Sequence, residues 1–209
     1  MKEITKIEIQ KKNKDRYSIY IDGEYSFGIY ENVLIKYGLK KGMKIEEDFL
    51  EDVLKKEEQE CANNYGLRLL NFKMRTEQEI RRKMKEKEYT EDVVDTTIEY
   101  LYYLNYLNDE EYANKFIKDK SNLKNMGKER IKRELYAKGI DKEIINDQIE
   151  DLVDDDDEYE KATEMAIKKL ETTYKNDDKN AQYRKLGGFL QRKGYSMNIV
   201  FKILKELIK

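Results

Sequence analysis

The 209-residue sequence contains no histidine, no proline, no tryptophan and a single cysteine, Cys61. Without histidine, Ser-His and Cys-His catalysis and His-ligated metal sites are excluded. One cysteine excludes an intramolecular disulfide and fits a reducing compartment, and we interpret Cys61 as a small buried hydrophobe. No apolar run approaches the ~20 residues of a membrane span, and the first residues do not resemble a signal peptide. These absences predict a cytoplasmic protein that is not an enzyme, binds no metal or cofactor and has no membrane partner.

Charge, by contrast, is abundant. Charged residues make up 41% of the chain and apolar residues 39%, which favours small helical units with narrow apolar stripes over one deep core. The formal net charge is -2, yet residues 150–160 contain eight acidic and no basic side chains, so the other 198 residues carry a net +6. The acidic run 154–158 lacks the glycine-containing pattern of a calcium loop. We interpret it as a solvated linker between units.

The first thirty residues alternate apolar and polar side chains with period two, which is typical of half-buried strands. Asp22-Gly23 is a two-residue hairpin signal between the second and third runs. The pattern predicts a three-stranded antiparallel meander and a short helix over 31–37, ended by Gly38. Because a small sheet needs a cover for its apolar face, we expect this helix and another beginning near Glu46 to supply it.

From about residue 46 the pattern becomes helical and repeats. Seven apolar positions recur after 51 residues and again after a further 55, without a gap. The first set is Ile80, Met84, Tyr89, Val93, Val94, Ile98 and Leu101; the second is Ile131, Leu135, Ile140, Ile144, Ile145, Ile149 and Leu152; the third is Leu186, Leu190, Tyr195, Ile199, Val200, Leu204 and Leu207. The sequence therefore predicts an internal repeat.

The connectors between helices support that repeat. Residues 87–90, 138–141 and 193–196 each predict a left-handed turn followed by an N-cap, with Glu88 in place of the glycine at a cost of about 1 kcal/mol. Thr76 and Asn108 open capping boxes. A further amphipathic stretch precedes each pair, over 57–71, 109–122 and 159–174. Such units are stabilised by packing against their neighbours. We therefore expect a mainly α protein whose three-helix repeats form an elongated, curved array.

We divide the chain accordingly. Residues 1–45 form the β-meander with its short helix, 46–108 a linking helix and repeat one, 109–157 repeat two with the acidic linker, and 158–209 repeat three. The tyrosines near residues 100–112 could stack on bases, but tyrosines at helical spacing more often pack in a core and between units, and we favour that interpretation.

Seven of the nine arginines fall on or beside the second helix of a unit. Arginine binds phosphate or carboxylate through a flat two-pronged fork that lysine lacks, so these helices could form a basic face for an anionic partner. The alternative is a solvated face whose arginine stems pack over apolar neighbours. The candidate contacts are Arg75, Arg81, Arg82, Arg130, Lys132, Arg133, Arg184, Lys185, Arg192 and Lys193.

The third helices carry different charges. Residues 90–104 and 141–153 each have a net charge of -4, whereas 196–209 carry +2. A helix of -4 is repelled by phosphates in the major groove. Of the three units, only the third could read DNA as a helix-turn-helix does.

Several segments resemble the motifs of a known protein family. Residues 105–113, Asn-Tyr-Leu-Asn-Asp-Glu-Glu-Tyr-Ala, resemble Gly-Tyr-Leu-Asp-Asp-x-x-Tyr-Ala, with Asn105 for glycine and Asn108 for aspartate. That pattern is the signature of the RecX regulatory proteins. Residues 75–80 are similar to the family's Arg-Ser-Glu-x-Glu-Leu, while 127–140 and 184–195 resemble its middle and C-terminal segments. The likeness covers residues 60–209, and the N-terminal sheet resembles an extension that some members carry.

The resemblance implies a modulator of the RecA recombinase. Members of the family bind the RecA–single-stranded-DNA filament, lie along its groove and inhibit its growth, strand exchange and co-protease activity; they are not enzymes and have some affinity for DNA alone. We therefore expect a monomeric regulator of DNA repair and the SOS response, with RecA as its partner. Two alternatives stay open: a direct DNA-binding or transcription factor that uses unit three, and a scaffold that binds proteins only.

Overall fold

The computed structural model describes residues Lys2–Ile208. The chain forms two compact units, one from the residues up to Lys73 together with Arg81–Tyr106, the other from Met74–Ile80 and the residues from Leu107 onward. The fold is mainly helical, with three successive three-helix repeats after a small sheet, as the sequence predicted.

The N-terminal meander is confirmed, with one strand added. Strands β1 (Lys2–Ile9), β2 (Arg16–Ile21) and β3 (Glu24–Tyr30) are antiparallel. Asp22 and Gly23 form the turn between β2 and β3, with φ of 50° and 92°. A fourth strand, β4 (Lys44–Ile45), pairs with β1, so the order is β3-β2-β1-β4. Two residues are too few to carry a period-two pattern, which is why the sequence did not predict β4.

Two helices cover the apolar face of the sheet, as expected. Helix α1 (Glu31–Lys36) contributes Val33 to the core and helix α2 (Glu47–Phe72) contributes Val53. Gly38 ends the first with φ of 59°. The second is a single helix of 26 residues, so the linking helix and the first helix of repeat one, predicted as separate stretches, are continuous.

A partly buried ion pair connects α2 to the sheet, with its carboxylate buried. The Glu57 carboxylate accepts a hydrogen bond from the backbone amide of Tyr30 at 2.7 Å and from the Arg16 guanidinium at 2.6 Å. Arg16 also donates to the Cys61 sulfur at 3.2 Å. Cys61 is therefore half-buried beside a charged pair, and our interpretation of it as a purely hydrophobic core residue is wrong. Breaking such a pair from one side costs about 3 kcal/mol because the remaining charge stays buried.

The helices of the repeats follow the predicted order. After α2, repeat one has α3 (Glu77–Lys85) and α4 (Glu91–Tyr103). Repeat two has α5 (Asp109–Lys118), a π-helical turn (Asp119–Leu123), α6 (Lys128–Tyr136) and α7 (Lys142–Leu152). Repeat three has α8 (Asp155–Glu171), α9 (Lys179–Lys193) and α10 (Met197–Leu207).

All twenty-one repeat positions are buried or half-buried, so the apolar pattern is confirmed as the inner face of these helices. The connectors are confirmed as left-handed turns at Glu88, Gly139 and Gly194, with φ of 63°, 78° and 94°. Asp141 and Ser196 cap the helices that follow through their side chains. Thr90 occupies the predicted N-cap position of α4, but its side chain makes no cap bond.

Two sequence interpretations need correction. The acidic run is not a linker: Asp154 caps α8, and Asp155 to Glu158 form its first turn, because carboxylates there bind free backbone amides and favour the helix dipole. The tyrosines are not mainly packing residues. Tyr103 and Tyr106 are 83% and 53% exposed, and Tyr102 is also exposed.

Candidate functional site

The first unit contains two of the predicted contact residues on α3. Arg81 binds Asp95 at 2.5 Å and lies 3.7 Å from Glu91, so its charge is used within its own repeat. The Arg82 side chain is 68% exposed, with the Glu86 carboxylate at 4.0 Å. Of this pair, Arg82 is better placed to meet a partner.

The second unit brings three predicted arginines together. Arg130 and Arg133 on α6 and Arg192 on α9 line one shallow, open groove of about 530 Å³, with Gln191 on its wall. The Arg130 Nε donates to Glu134 at 2.9 Å and its Nη1 to the Arg192 carbonyl at 3.3 Å. These bonds hold the guanidinium of Arg130 in place, so the groove can receive a carboxylate or phosphate between positioned forks.

A close approach of two backbones builds this groove. The Gly127 amide donates to the Lys193 carbonyl at 3.0 Å, and the Glu129 amide to the Gly194 carbonyl at 3.1 Å. A Cβ on Gly194 would collide with the backbone and Cβ of Arg130, and one on Gly127 would collide with the backbone of Gly194. Glycine at both positions therefore lets α6 and the turn after α9 meet.

The start of α3 makes the corresponding junction with repeat two. The Thr76 hydroxyl donates to the Lys138 carbonyl at 2.7 Å, and a Cβ on Gly139 would collide with the Gln78 side chain. Lys138 pairs with Glu79 at 2.8 Å. The left-handed glycine of one repeat thus packs against the second helix of the repeat before it, at both junctions.

Each junction also contains a buried carboxylate. Asp109 accepts from the Glu77 amide at 3.0 Å, and Glu158 accepts from the Lys128 amide at 2.8 Å. Burial raises the pKa of Asp109 and of Glu158 above their ordinary values. Because each bonds a backbone amide in the preceding repeat, these acids complete a helix terminus and are structural groups.

The remaining candidate residues lie outside the groove. Arg184 is exposed on α9, Lys185 pairs with Asp177 at 2.7 Å, and Lys193 donates to the Lys124 carbonyl at 3.2 Å. Lys132 and Arg75 are half-buried. The structure thus brings three of the predicted arginines together in one groove and places the other candidates elsewhere.

The sequence analysis selected candidates by positive charge and therefore missed Gln191, which is uncharged. It also missed Lys124, Lys168 and Lys169. Together with Lys193 these lysines line a separate pocket. They come from the connection before α6 and from helices α8 and α9, so no local pattern in the sequence joins them.

Within Lys2–Ile208 no three histidine, cysteine or acidic side chains gather closely enough to hold a metal ion. No helix in the same range is long and apolar enough to cross a membrane.

Four family models match the chain in order. They are the regulatory protein RecX N-terminal domain over residues 2–46, and the first, second and third RecX three-helix domains over 62–101, 108–147 and 155–204. The N-terminal sheet and all three repeats are therefore features of one family.

The relatives and one solved structure match nearly the whole chain, and a second solved structure matches most of it. The regulatory protein RecX of Clostridium acetobutylicum is 37% identical over 98% of this chain and 95% of its own, and that of Clostridioides difficile is 35% identical over the same shares. A crystal structure of a regulatory protein RecX has a TM-score of 0.81 at 30% identity, covering 99% of this chain and all of that one. RecX from Lactobacillus salivarius has a TM-score of 0.66 at 29% identity, covering 72% and 96%. With matches of this extent to sequences, family models and folds, the chain belongs to the RecX family of regulatory proteins.

Proposed function

We propose that this protein regulates the RecA recombinase: it binds along the RecA–single-stranded-DNA filament as a monomer in the cytoplasm and limits filament growth, strand exchange and co-protease activity in DNA repair and the SOS response. The observation that carries the proposal is the groove lined by Arg130, Arg133 and Arg192. A filament of protein on DNA offers carboxylates and phosphates, and both fit the arginine fork.

The charges of the groove support binding rather than internal stabilisation. Arg133 and Arg192 are exposed, and the carboxylate on the groove wall, Glu134, is bonded to Arg130. Exposed, positioned guanidinium groups add little to the stability of the fold. They lower the free energy of an approaching anion.

The test is RecA-catalysed ATP hydrolysis on single-stranded DNA, with and without this protein. We expect the wild type to lower the rate, and a variant with Arg82→Glu, Arg133→Glu and Arg192→Glu to leave it unchanged while its helical circular dichroism is preserved. The control variant changes the same amount of charge at exposed lysines away from the groove: Lys118→Glu, Lys142→Glu and Lys175→Glu. It should inhibit like the wild type.

Two outcomes would overturn this reasoning. Full inhibition by the arginine variant would show that the groove and Arg82 do not contact the filament. If the wild type has no effect on RecA at any ratio to the filament, the regulatory target itself is wrong.

A direct DNA-binding protein is the second candidate, and α10 favours it. This helix exposes Asn198, Lys202 and Lys205 together on the last helix of repeat three. The candidate predicts sequence-specific binding to duplex DNA without RecA, measured as a mobility shift at physiological salt. A protein-binding scaffold predicts instead binding that depends weakly on salt and not at all on nucleic acid.

A further inference from the structure

A second cationic site lies in the same unit, where the segment between α5 and α6 meets α8 and α9. It is a half-open pocket of about 270 Å³. The residues that matter here are Lys124, Lys168, Lys169, Lys193, Met165 and Phe189. Four lysines, a methionine and a phenylalanine thus line one pocket.

These four positive charges are not neutralised. Among the described residues, no carboxylate lines the pocket, and none lies within 4.0 Å of any of the four ammonium groups. Lys193 donates to the Lys124 carbonyl at 3.2 Å, and Lys169 lies 5.2 Å from the centre of the Phe189 ring. Like charges gathered around a partly enclosed space raise its positive potential, and an anion that enters relieves their repulsion.

The wall of the pocket is an irregular piece of backbone. It follows the π-helical turn Asp119–Leu123 and includes Asn125, which has a left-handed φ of 45°. The Tyr195 hydroxyl fixes this wall, donating to the Asn125 carbonyl at 3.0 Å. Non-glycine residues with positive φ and π-helical turns are costly or rare, and they concentrate at binding sites.

We propose that this pocket binds a nucleotide, with its phosphates among the lysines and its base against Phe189 and Met165. A basic pocket with an aromatic floor is the arrangement that holds a base and its phosphate together, because the ring stacks on the base while the cations neutralise the phosphate. The nucleotide is either free or one residue of a single strand. The proposal does not depend on RecA.

The test measures binding to the full chain of three probes: thymidine triphosphate, a fluorescent single-stranded oligothymidylate and inorganic triphosphate. The pocket variant is Lys124→Gln with Lys168→Gln, since both side chains are exposed. The control is Lys142→Gln with Lys175→Gln, which removes equal charge elsewhere. For the oligomer, losing two phosphate contacts lowers the salt slope by about 1.4, a loss of about 25-fold in affinity at 0.1 M salt. The control should bind like the wild type.

Phe189→Leu distinguishes the contribution of the base to binding from that of the phosphates. An unchanged melting temperature shows that the core is intact in this variant. We expect binding of thymidine triphosphate or of the oligomer to weaken about fivefold or more, and binding of inorganic triphosphate to stay unchanged. Tight binding of the mononucleotide identifies a free nucleotide as the source, and binding of the oligomer alone identifies a strand. If no probe binds the wild type, if the pocket variant binds like the control, or if inorganic triphosphate binds as tightly as the nucleotides, the proposal is overturned. None of these outcomes bears on RecA inhibition.

Discussion

Gly127→Ala should separate repeats two and three without disturbing either one. Gly127 has φ of -71° and ψ of 156°, a conformation open to alanine, so the backbone itself is not strained by the change. The added methyl would instead collide with the carbonyl group of Gly194 and the amide of Tyr195. These are backbone atoms, and a rotamer change does not move them.

The loss of unfolding free energy can be estimated from the hydrogen bonds that must open to relieve the collision. Relieving the collision means opening the bonds from the Gly127 amide to Lys193 and from the Glu129 amide to Gly194, and loosening the bond from Tyr195 to Asn125. Three hydrogen bonds at about 1 kcal/mol each set an upper limit of about 3 kcal/mol, and overpacking costs about 1–3 kcal/mol. We expect a loss of about 2 kcal/mol, which lowers the melting temperature by about 4 to 8 °C.

Gly188→Ala is the matched control, because its new methyl would meet only the flexible end of Arg192 at 3.2 Å. Inside α9 that change should stabilise by about 1 kcal/mol. Thermal unfolding compares the two variants, and amide hydrogen exchange locates the effect: in the Gly127 variant the amide of Glu129 should exchange faster while the middle of α7 keeps its protection. A melting temperature at or above the wild-type value, with unchanged exchange at Glu129, would refute the argument.

Two further changes test the junctions and turns. Burial raises the pKa of Glu158 above its ordinary value of 4.5, so the folded protein holds this proton to higher pH than the unfolded chain does, and the group stabilises less as the pH rises through and above 4.5. Glu158→Gln keeps an oxygen for the Lys128 amide; the unfolding free energy of the wild type minus that of the variant should therefore fall over this range in denaturant titrations, and a flat difference would contradict the assignment. Glu88→Gly should raise the melting temperature by about 2 to 4 °C, because the left-handed turn costs glutamate about 1 kcal/mol; an unchanged or lower value would count against that cost.

The sequence predicted the inner face of every repeat because the residues that a helix buries are apolar and recur about every 3.6 positions. It also predicted the left-handed turns, but not why two of them hold glycine. Gly139 and Gly194 pack against another repeat, where a Cβ has no room, whereas Glu88 is exposed and bears only the conformational cost. Contacts between residues some sixty positions apart leave no local pattern.

The acidic run illustrates a second limit. A solvated linker and the first turn of a helix have the same composition, since both favour carboxylates. They are distinguished here by the Asp154 cap on α8 and by the bond from the Lys128 amide of α6 to Glu158. Glu158 is buried because the Lys128 amide needs an acceptor there. The candidate surfaces differ in the same way: the sequence singled out the arginines that line the groove, whereas the pocket of Lys124 and Lys168 combines a connecting segment with helices that meet it only in the folded chain.

The buried carboxylates set the order in which the second helices of the repeats can be completed during synthesis. Asp109 and Glu158 each complete the second helix of the preceding repeat, whereas α9 is capped by its own neighbour Asp178, which accepts from the Ala181 amide at 2.9 Å. As the chain is synthesised from its N-terminus, α6 is left with an unsatisfied first turn until the start of α8 has emerged from the ribosome. Repeat three, by contrast, caps its second helix with its own residue Asp178. It can therefore fold without a later repeat, and its Glu158 then completes α6 of repeat two.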